Sequence, residues 1–167
     1  MKYFLIFLVL FTQALATYSQ ELSRLEMRNK FQGCTSKENT ETLYLQLSAQ
    51  KNVDQIHSGY YGAVVALRAK YNSNPIKKYN YCKEGLILLS SAIDKAQHDI
   101  ELRYLRLIIQ TNIPSFLGMN TNVEEDKNTI LGRIESEKDL PLKTLVSQFL
   151  LKSDICTETE KKKLASI

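Results

Sequence analysis

The chain contains very few residues that break or turn a polypeptide, with 6 glycines and 3 prolines among 167 residues. This is less than half of the share that globular proteins usually have. An all-β sandwich needs a turn signal roughly every 8–12 positions, and a disordered chain is richer in Pro, Gly and charge, so both classes are disfavoured. The chain is therefore predicted to fold into long helices joined by few turns.

The first 16 residues have the pattern of a secretory signal peptide. A short basic start is followed by an apolar run over residues 4–11 and by small residues that end at Ala16, which predicts cleavage after Ala16. The alternative is a membrane anchor, but a spanning helix needs about 20 apolar residues and this run stops at Thr12. We therefore expect an exported protein, periplasmic or secreted, whose residues 17–167 form one domain.

Helix-start patterns recur along the rest of the chain. Asn74 precedes a proline, which is typical of a cap followed by the first helical residue. Thr157 with Glu160, and Asn122 with Glu125, have the spacing of a capping box. These patterns predict that helices begin directly after Asn74, Asn122 and Thr157.

Eight helical segments are predicted, beginning near residues 19, 38, 54, 75, 99, 122, 141 and 157. The second could also be a strand, because leucines alternate at positions 43, 45 and 47. With no other competing strand pattern, the fold class is all-α, a single-domain helical-hairpin array or bundle of about seven or eight helices.

Three packing features follow from the same patterns. Gly59 and Gly62 lie three residues apart on the third segment, which suggests the close approach of a neighbouring helix. The fourth segment has an apolar stripe over residues 76–93 that is predicted to face the core. In the long connection after the fifth segment, Phe116 and Leu117 are predicted to pack back into the core.

The three cysteines face the oxidising compartment that export predicts. An odd count allows one bridge and one free thiol, or three free thiols. Cys34 and Cys156 both lie between helical segments and are the only plausible pair, although spacing alone does not bring two sites within bonding distance. Cys82 lies on the apolar stripe of the fourth segment and is interpreted as a small buried hydrophobe.

Two resemblances are carried by the middle of the chain. The run over residues 81–107, with Gly85, Leu89 and Ala92 at repeat spacing, resembles one helix of a tetratricopeptide repeat passing into the next. A second set of motifs is Gly59-Tyr-Tyr-Gly-Ala63, Ala69-Lys-Tyr71, Asn74-Pro75, Glu101-Leu-Arg-Tyr-Leu-Arg106, Ile109-Gln110, Pro114-x-Phe-Leu117 and Glu124-Glu-Asp126. Because of these motifs, residues 55–135 are similar to an uncharacterised family of small exported helical proteins of Bacteroidetes-type bacteria. The resemblance implies a periplasmic or secreted setting and no particular reaction.

The sequence lacks motifs for catalysis, metal binding or nucleic-acid binding. His57 and His98 are its 2 histidines, and neither belongs to an HExxH motif or to a Cys/His cluster, so we expect no metal and no cofactor. The formal charge of +4 falls to +3 once Lys2 is removed with the signal peptide. Export and this small charge disfavour a nucleic-acid partner.

A tyrosine- and arginine-rich middle third is the one candidate for a binding site. Binding surfaces are enriched in both residue types, because each offers a large contact area and directional hydrogen bonds. The candidate binding residues are Tyr60, Tyr61, Lys70, Arg103, Arg106 and Gln110. The alternative is an internal role, in which Arg103 and Arg106 pair with Asp126 and the tyrosines bury their rings at helix interfaces.

Three functions remain open from the sequence. The first is a non-enzymatic module of the cell envelope that binds or scaffolds a protein or peptide. The alternative is a binder of a small anionic or cell-envelope ligand through the Tyr/Arg-rich helical surface, and the second alternative is an enzyme with an unrecognised active site. The protein is not expected to span a membrane after removal of the signal.

Overall fold

The structure is a computed structural model that describes residues 21–50 and 54–166. These residues form eight α-helices and no strand. The helices are α1 (Arg24–Gln32), α2 (Lys37–Ser48), α3 (Gln55–Leu67), α4 (Pro75–Lys95), α5 (Ile100–Thr111), α6 (Val123–Arg133), α7 (Leu140–Lys152) and α8 (Glu158–Ala165). The all-α prediction is confirmed, and the strand alternative for residues 43–47 is wrong, because they lie inside α2.

Two predictions about the start of the chain fall outside the described residues. These are the signal peptide with its cleavage after Ala16 and the helix start at Ser19, and both stay predictions. The first described helix, α1, is capped by Ser23, which forms a capping box with Glu26. None of the helices that the structure describes is long and apolar enough to cross a membrane.

Short polar side chains start most of the helices, as the sequence predicts. Asn74 accepts hydrogen bonds from two backbone N–H groups of α4, and Asp99 does the same for α5. Thr157 and Glu160 form a capping box at the start of α8. Each cap satisfies N–H groups that have no partner within the helix, and so places the helix boundary.

Helix α6 begins directly after Asn122, as predicted, but without the predicted capping box. Asn122 occupies the N-cap position, but its side chain accepts no hydrogen bond from the helix backbone. Its Nδ2 donates to Glu125 Oε2 over 3.1 Å, and its Oδ1 accepts from Gln110 Nε2 and Thr121 Oγ1. The capping-box prediction for Asn122 and Glu125 is therefore wrong, because tertiary partners take the amide oxygen.

Helix α5 lies between two hydrophobic clusters and contributes to both. Leu102 and Leu105 pack into the first cluster together with buried residues of α1 to α4. Tyr104 and Leu107 pack into the second cluster with residues of α6, α7 and α8. Because ten of the twelve residues of α5 are buried, this helix is the central element that joins the two clusters.

Helices α3 and α4 approach each other closely through glycines. A Cβ atom on Gly62 would lie 2.9 Å from the carbonyl oxygen of Gly85, and a Cβ on Gly85 would collide with the carbonyl oxygen of Gly62 and the backbone of Ala66. A Cβ on Gly59 would collide with Leu102 of α5. The predicted close approach at Gly59 and Gly62 is confirmed.

Two apolar segments lie further out than predicted. The first turns of α4 extend beyond the core, so Ile76 is 71% and Tyr79 42% exposed, and the buried stripe of this helix begins only near Cys82. Phe116 is 85% exposed, whereas Leu117 packs against the first cluster. The prediction that Phe116 packs into the core is therefore wrong.

All three cysteines are free. Cys34 belongs to the first hydrophobic cluster and Cys156 to the second, so the suggested bridge between them is not formed. The alternative of three free thiols describes the structure, and burial raises the pKa of each thiol. Cys82 is half-buried and packs against the first cluster, as a small hydrophobe does.

Candidate functional site

The six candidate binding residues do not form one surface. Tyr60, Arg103, Arg106 and Gln110 are each at most 6% exposed. Tyr61 is half-buried, and Lys70 is exposed. The set therefore divides into interior groups, which bind other parts of the protein, and surface groups, which are considered separately below.

Tyr60 belongs to an interior network centred on Glu101, which is fully buried. The Tyr60 hydroxyl donates to Glu101 Oε1 over 2.5 Å. Arg28 Nε donates to the same carboxylate over 2.6 Å, and Arg28 Nη2 also donates to Asp139 over 2.8 Å. Arg24 completes the network with an ion pair to Glu101. The network therefore ties α1, α3, α5 and the start of α7 together.

Glu101 carries its negative charge inside this network. Burial would raise the pKa of its carboxyl, but hydrogen bonds from Arg28 and Tyr60 and the charge of Arg24 outweigh burial, so the pKa is lowered. Burial and the neighbouring carboxylate raise the pKa of Tyr60. Tyr60 is thus a neutral donor to a charged acceptor, which is a strong type of hydrogen bond.

Arg103 and Arg106 belong to a second interior network, centred on the fully buried Asp126. Arg106 donates from Nε over 2.7 Å and from Nη2 over 2.7 Å to the two oxygens of Asp126. Arg103 Nη1 donates to Asp126 over 2.9 Å and also pairs with Glu125. The internal alternative for the two arginines is therefore the arrangement that the structure shows.

Tyr61 belongs to a surface that we call the Tyr–Arg surface, formed by Tyr44, Tyr61, Arg68 and Tyr81. The rings of Tyr44 and Tyr61 stack with their centroids 5.7 Å apart. The guanidinium of Arg68 lies 3.9 Å from the Tyr44 ring centroid and 4.7 Å from that of Tyr81. Glu41 accepts from Arg68 Nε over 2.8 Å. A cation held between two aromatic faces in this way is fixed in position.

The chain around the Tyr–Arg surface is basic. Residues 68–82 contain four cationic side chains and no acidic one. Lys70, Lys77 and Lys78 among them are exposed. The exposed Ile76 and Tyr79 lie in the same stretch. Arg68 keeps 19% of its side chain accessible, so this side chain is part of the protein surface.

Gln110 lines a cleft of about 480 Å³ that we call the α4–α5 cleft. One face of α4 forms one wall, Gln110 of α5 contributes to the interior, and Met119, Thr121 and Asn122 of the α5–α6 connection form the other wall. Gln110 is the one candidate binding residue that lines this cleft.

The two histidines have different environments. His98 is exposed, whereas His57 is 5% exposed, and neither of its ring nitrogens has a hydrogen-bond partner among the residues that the structure describes. Over the same residues, no group of three His, Cys, Asp or Glu side chains is arranged to hold a metal ion. Burial lowers the pKa of His57 more than the charges of Asp54 and Glu21 raise it.

This environment makes the stability of the protein depend on pH. Because the folded-state pKa of His57 is lowered, the folded state binds fewer protons than the unfolded state, and stability falls as the pH drops below about 6.5. Between about pH 7.5 and pH 5.5, we expect the free energy of unfolding of His57→Gln to fall less than that of the unchanged protein. Urea unfolding at the two pH values measures this free energy. His98→Gln is the control, and an equal effect of both variants would contradict the assignment to His57.

Sequence reasoning missed Glu101, Arg28 and Tyr44. A signal for Glu101 exists, because charged residues in α5 alternate with Ile and Leu so closely that they cannot all lie on one solvated face. The contact of Tyr44 with Arg68 joins α2 to the residue that follows α3, and no local spacing predicts such a pair.

Comparison with known proteins does not add to this description. No protein-family model, no curated protein and no solved structure matches the chain. The resemblances to a tetratricopeptide hairpin and to an exported bacterial family therefore stay predictions, and the candidate sites depend on their geometry alone.

Proposed function

We propose that this protein is an exported, non-enzymatic binding module of the cell envelope. The Tyr–Arg surface binds an acidic segment of a partner protein. The Glu101 network fixes α3, which carries Tyr61. Arg106 of the Asp126 network donates to Ser90 of α4, the helix that carries Tyr81. Arg103 and Arg106 act in the proposal as structural residues rather than as contacts to the partner.

The observation that carries the proposal is the position of Arg68 between Tyr44 and Tyr81. Its side chain is 19% accessible, and its guanidinium is already in contact with two rings and with Glu41. A side chain that is fixed before binding loses little conformational entropy when a partner arrives. Tyrosine and arginine are also the residue types that contribute most to binding energy in protein interfaces.

The charge of the surrounding chain selects an acidic partner. Arg68 is paired with Glu41, but three exposed lysines, Lys70, Lys77 and Lys78, have no acidic residue among residues 68–82 and attract a negative segment. The exposed Ile76 and Tyr79 offer apolar contact beside them. A segment that alternates acidic and apolar residues satisfies both features. Its affinity falls with salt, because exposed charges are screened.

The test uses a labelled ten-residue peptide of alternating glutamate and leucine. We expect binding to weaken at least about tenfold between about 50 and about 500 mM NaCl. Arg68→Gln and the double variant Lys70→Gln/Lys78→Gln are expected to weaken it in low salt. Lys152→Gln/Lys163→Gln, which removes the same charge from exposed positions on α7 and α8, serves as the matched control and should leave binding unchanged.

Three results would contradict the proposal. One is binding that does not change with salt, and another is an equal effect of the control variant. The third is complete displacement of the peptide by inorganic phosphate at a similar concentration, which would favour the alternative of a small anionic ligand. Fluorescence anisotropy of the labelled peptide measures all three.

A further inference from the structure

One face of α4 contributes six residues to the lining of the α4–α5 cleft. The residues of α4 that line it are Lys83, Leu86, Ile87, Ser90, Ser91 and Asp94. Their spacing places them on one face of the helix over three turns, a length of about 16 Å. The cleft is therefore long enough for a linear ligand rather than only for a compact one.

Gln110 supplies an acceptor without a donor in this cleft. Its Nε2 donates to the Met119 carbonyl oxygen over 2.8 Å and to Asn122 Oδ1 over 3.3 Å. Exchange of the amide nitrogen and oxygen would set the oxygen against two acceptors, so these bonds fix the orientation of the amide. Gln110 is 2% exposed, and its Oε1 has no hydrogen-bond partner among the described residues. Buried acceptors are rarely left unpaired, and each exception needs an explanation.

The α4 wall is charged at its ends, with two apolar residues and two serines between them. Lys83 carries a positive charge at one end and Asp94 a negative charge at the other, and both side chains are exposed. Leu86 and Ile87 lie between them, and Ile87 is 60% exposed. Opposite charges with both apolar and hydroxyl side chains between them suit a zwitterionic ligand whose middle carries an apolar group and hydrogen-bonding groups.

We propose that the α4–α5 cleft binds a short peptide with free termini. The peptide carboxylate pairs with Lys83 and the peptide ammonium pairs with Asp94. Gln110 Oε1 is buried in the free protein, so binding includes a small opening of the cleft lining that lets a backbone N–H of the peptide donate to it. An apolar side chain of the peptide contacts Leu86 and Ile87. An extended tetrapeptide spans about 13 Å, which lets the two charged side chains reach its ends. The site is independent of the Tyr–Arg surface.

The probe is the tetrapeptide Ala-Val-Leu-Ala, used with free termini, with an acetylated N-terminus and with an amidated C-terminus. We expect each blocked form to bind at least about fivefold more weakly than the free form, which corresponds to the loss of one charged contact. Isothermal titration calorimetry on the full-length protein measures the affinities.

Variants assign each terminus to its side chain. The Lys83→Gln variant is expected to bind the free peptide more weakly than the unchanged protein does. It should bind the amidated peptide with the same affinity as the unchanged protein. Asp94→Asn is expected to show the same pattern with the acetylated peptide. The matched controls Lys152→Gln and Asp154→Asn change exposed charges away from the cleft and should change nothing. Gln110→Leu is expected to weaken the binding of all three peptides.

The proposal is overturned by any of three outcomes. The unchanged protein shows no binding of the free tetrapeptide at millimolar concentration, the three forms bind equally, or the effects of Lys83→Gln and Asp94→Asn do not depend on the blocked terminus. Both variants are at exposed positions and retain the fold, so the result stands even if Gln110→Leu fails to fold. Failure here would leave binding at the Tyr–Arg surface unaffected.

Discussion

Replacing Glu101 by glutamine is expected to destabilise the protein by about 3–5 kcal/mol, the usual effect of removing one partner of a buried ion pair. The variant keeps the size of the side chain but leaves Arg28, which is 3% exposed, without its closest counter-charge. Tyr60 loses a charged acceptor at the same time. Urea unfolding followed by circular dichroism measures the change in the free energy of unfolding.

The matched control is Glu135→Gln, which removes an exposed carboxylate and should change stability by less than about 0.5 kcal/mol. The two variants are also expected to differ in how their stability changes as the pH falls. Because the pKa of Glu101 is lowered from 4.5, the stability that its charge contributes is present above that pH and is lost as the pH falls below it. Glu101→Gln should therefore lose less stability in acid than the unchanged protein does. A loss at neutral pH no larger than that of the control would show that the Glu101 network does not hold the fold.

Replacing Gly85 by alanine is the second change with a large expected effect. The new Cβ would meet the carbonyl oxygen of Gly62 and lie 2.6 Å from both Cβ and N of Ala66. Backbone atoms cannot move aside as a flexible side chain can, so α3 and α4 must separate. We expect a loss of about 2 kcal/mol or more, because overpacking exceeds the gain from the higher helix propensity of alanine.

Gly132→Ala is the control for this substitution. Gly132 is also helical, but a Cβ there has no neighbour within 4 Å, so alanine should stabilise the protein by about 0.5–1 kcal/mol. Thermal and urea unfolding compare the two variants under the same conditions. A stabilisation by both would show that the contact between α3 and α4 is looser than described.

Local patterns predicted the helices well, because their causes lie within a few residues. Caps at Asn74 and Thr157 satisfy the first N–H groups of the helix, and this requires no tertiary information. Gly59 and Gly62 indicated a close helix contact, since a glycine in a helix interior is unfavourable unless space demands it. The cap at Asn122 failed because Gln110 and Thr121, which lie outside α6, compete for its side chain.

The position of the candidate site could be predicted only in part. The sequence showed that Arg103 and Arg106 share a face with Gln110, but the same spacing suits a surface site and an interior network. The choice between them depends on Asp126, which reaches this face only because α6 packs on α5. Phe116 shows the same limit, since its exposure follows from the path of the connection after α5, which turns at Gly118 with a φ of 65°.

Native-state hydrogen exchange tests the central structural claim most directly, namely that α5 joins the two hydrophobic clusters into one cooperative unit. Leu102 and Leu105 lie in the first cluster and Leu107 lies in the second, and all three are buried. We expect their amides to exchange only through global unfolding, with a free energy equal to that from urea unfolding. If α6 to α8 opened together with α5 at a lower free energy than α3 and α4, the two clusters would be separate units and the claim would be contradicted.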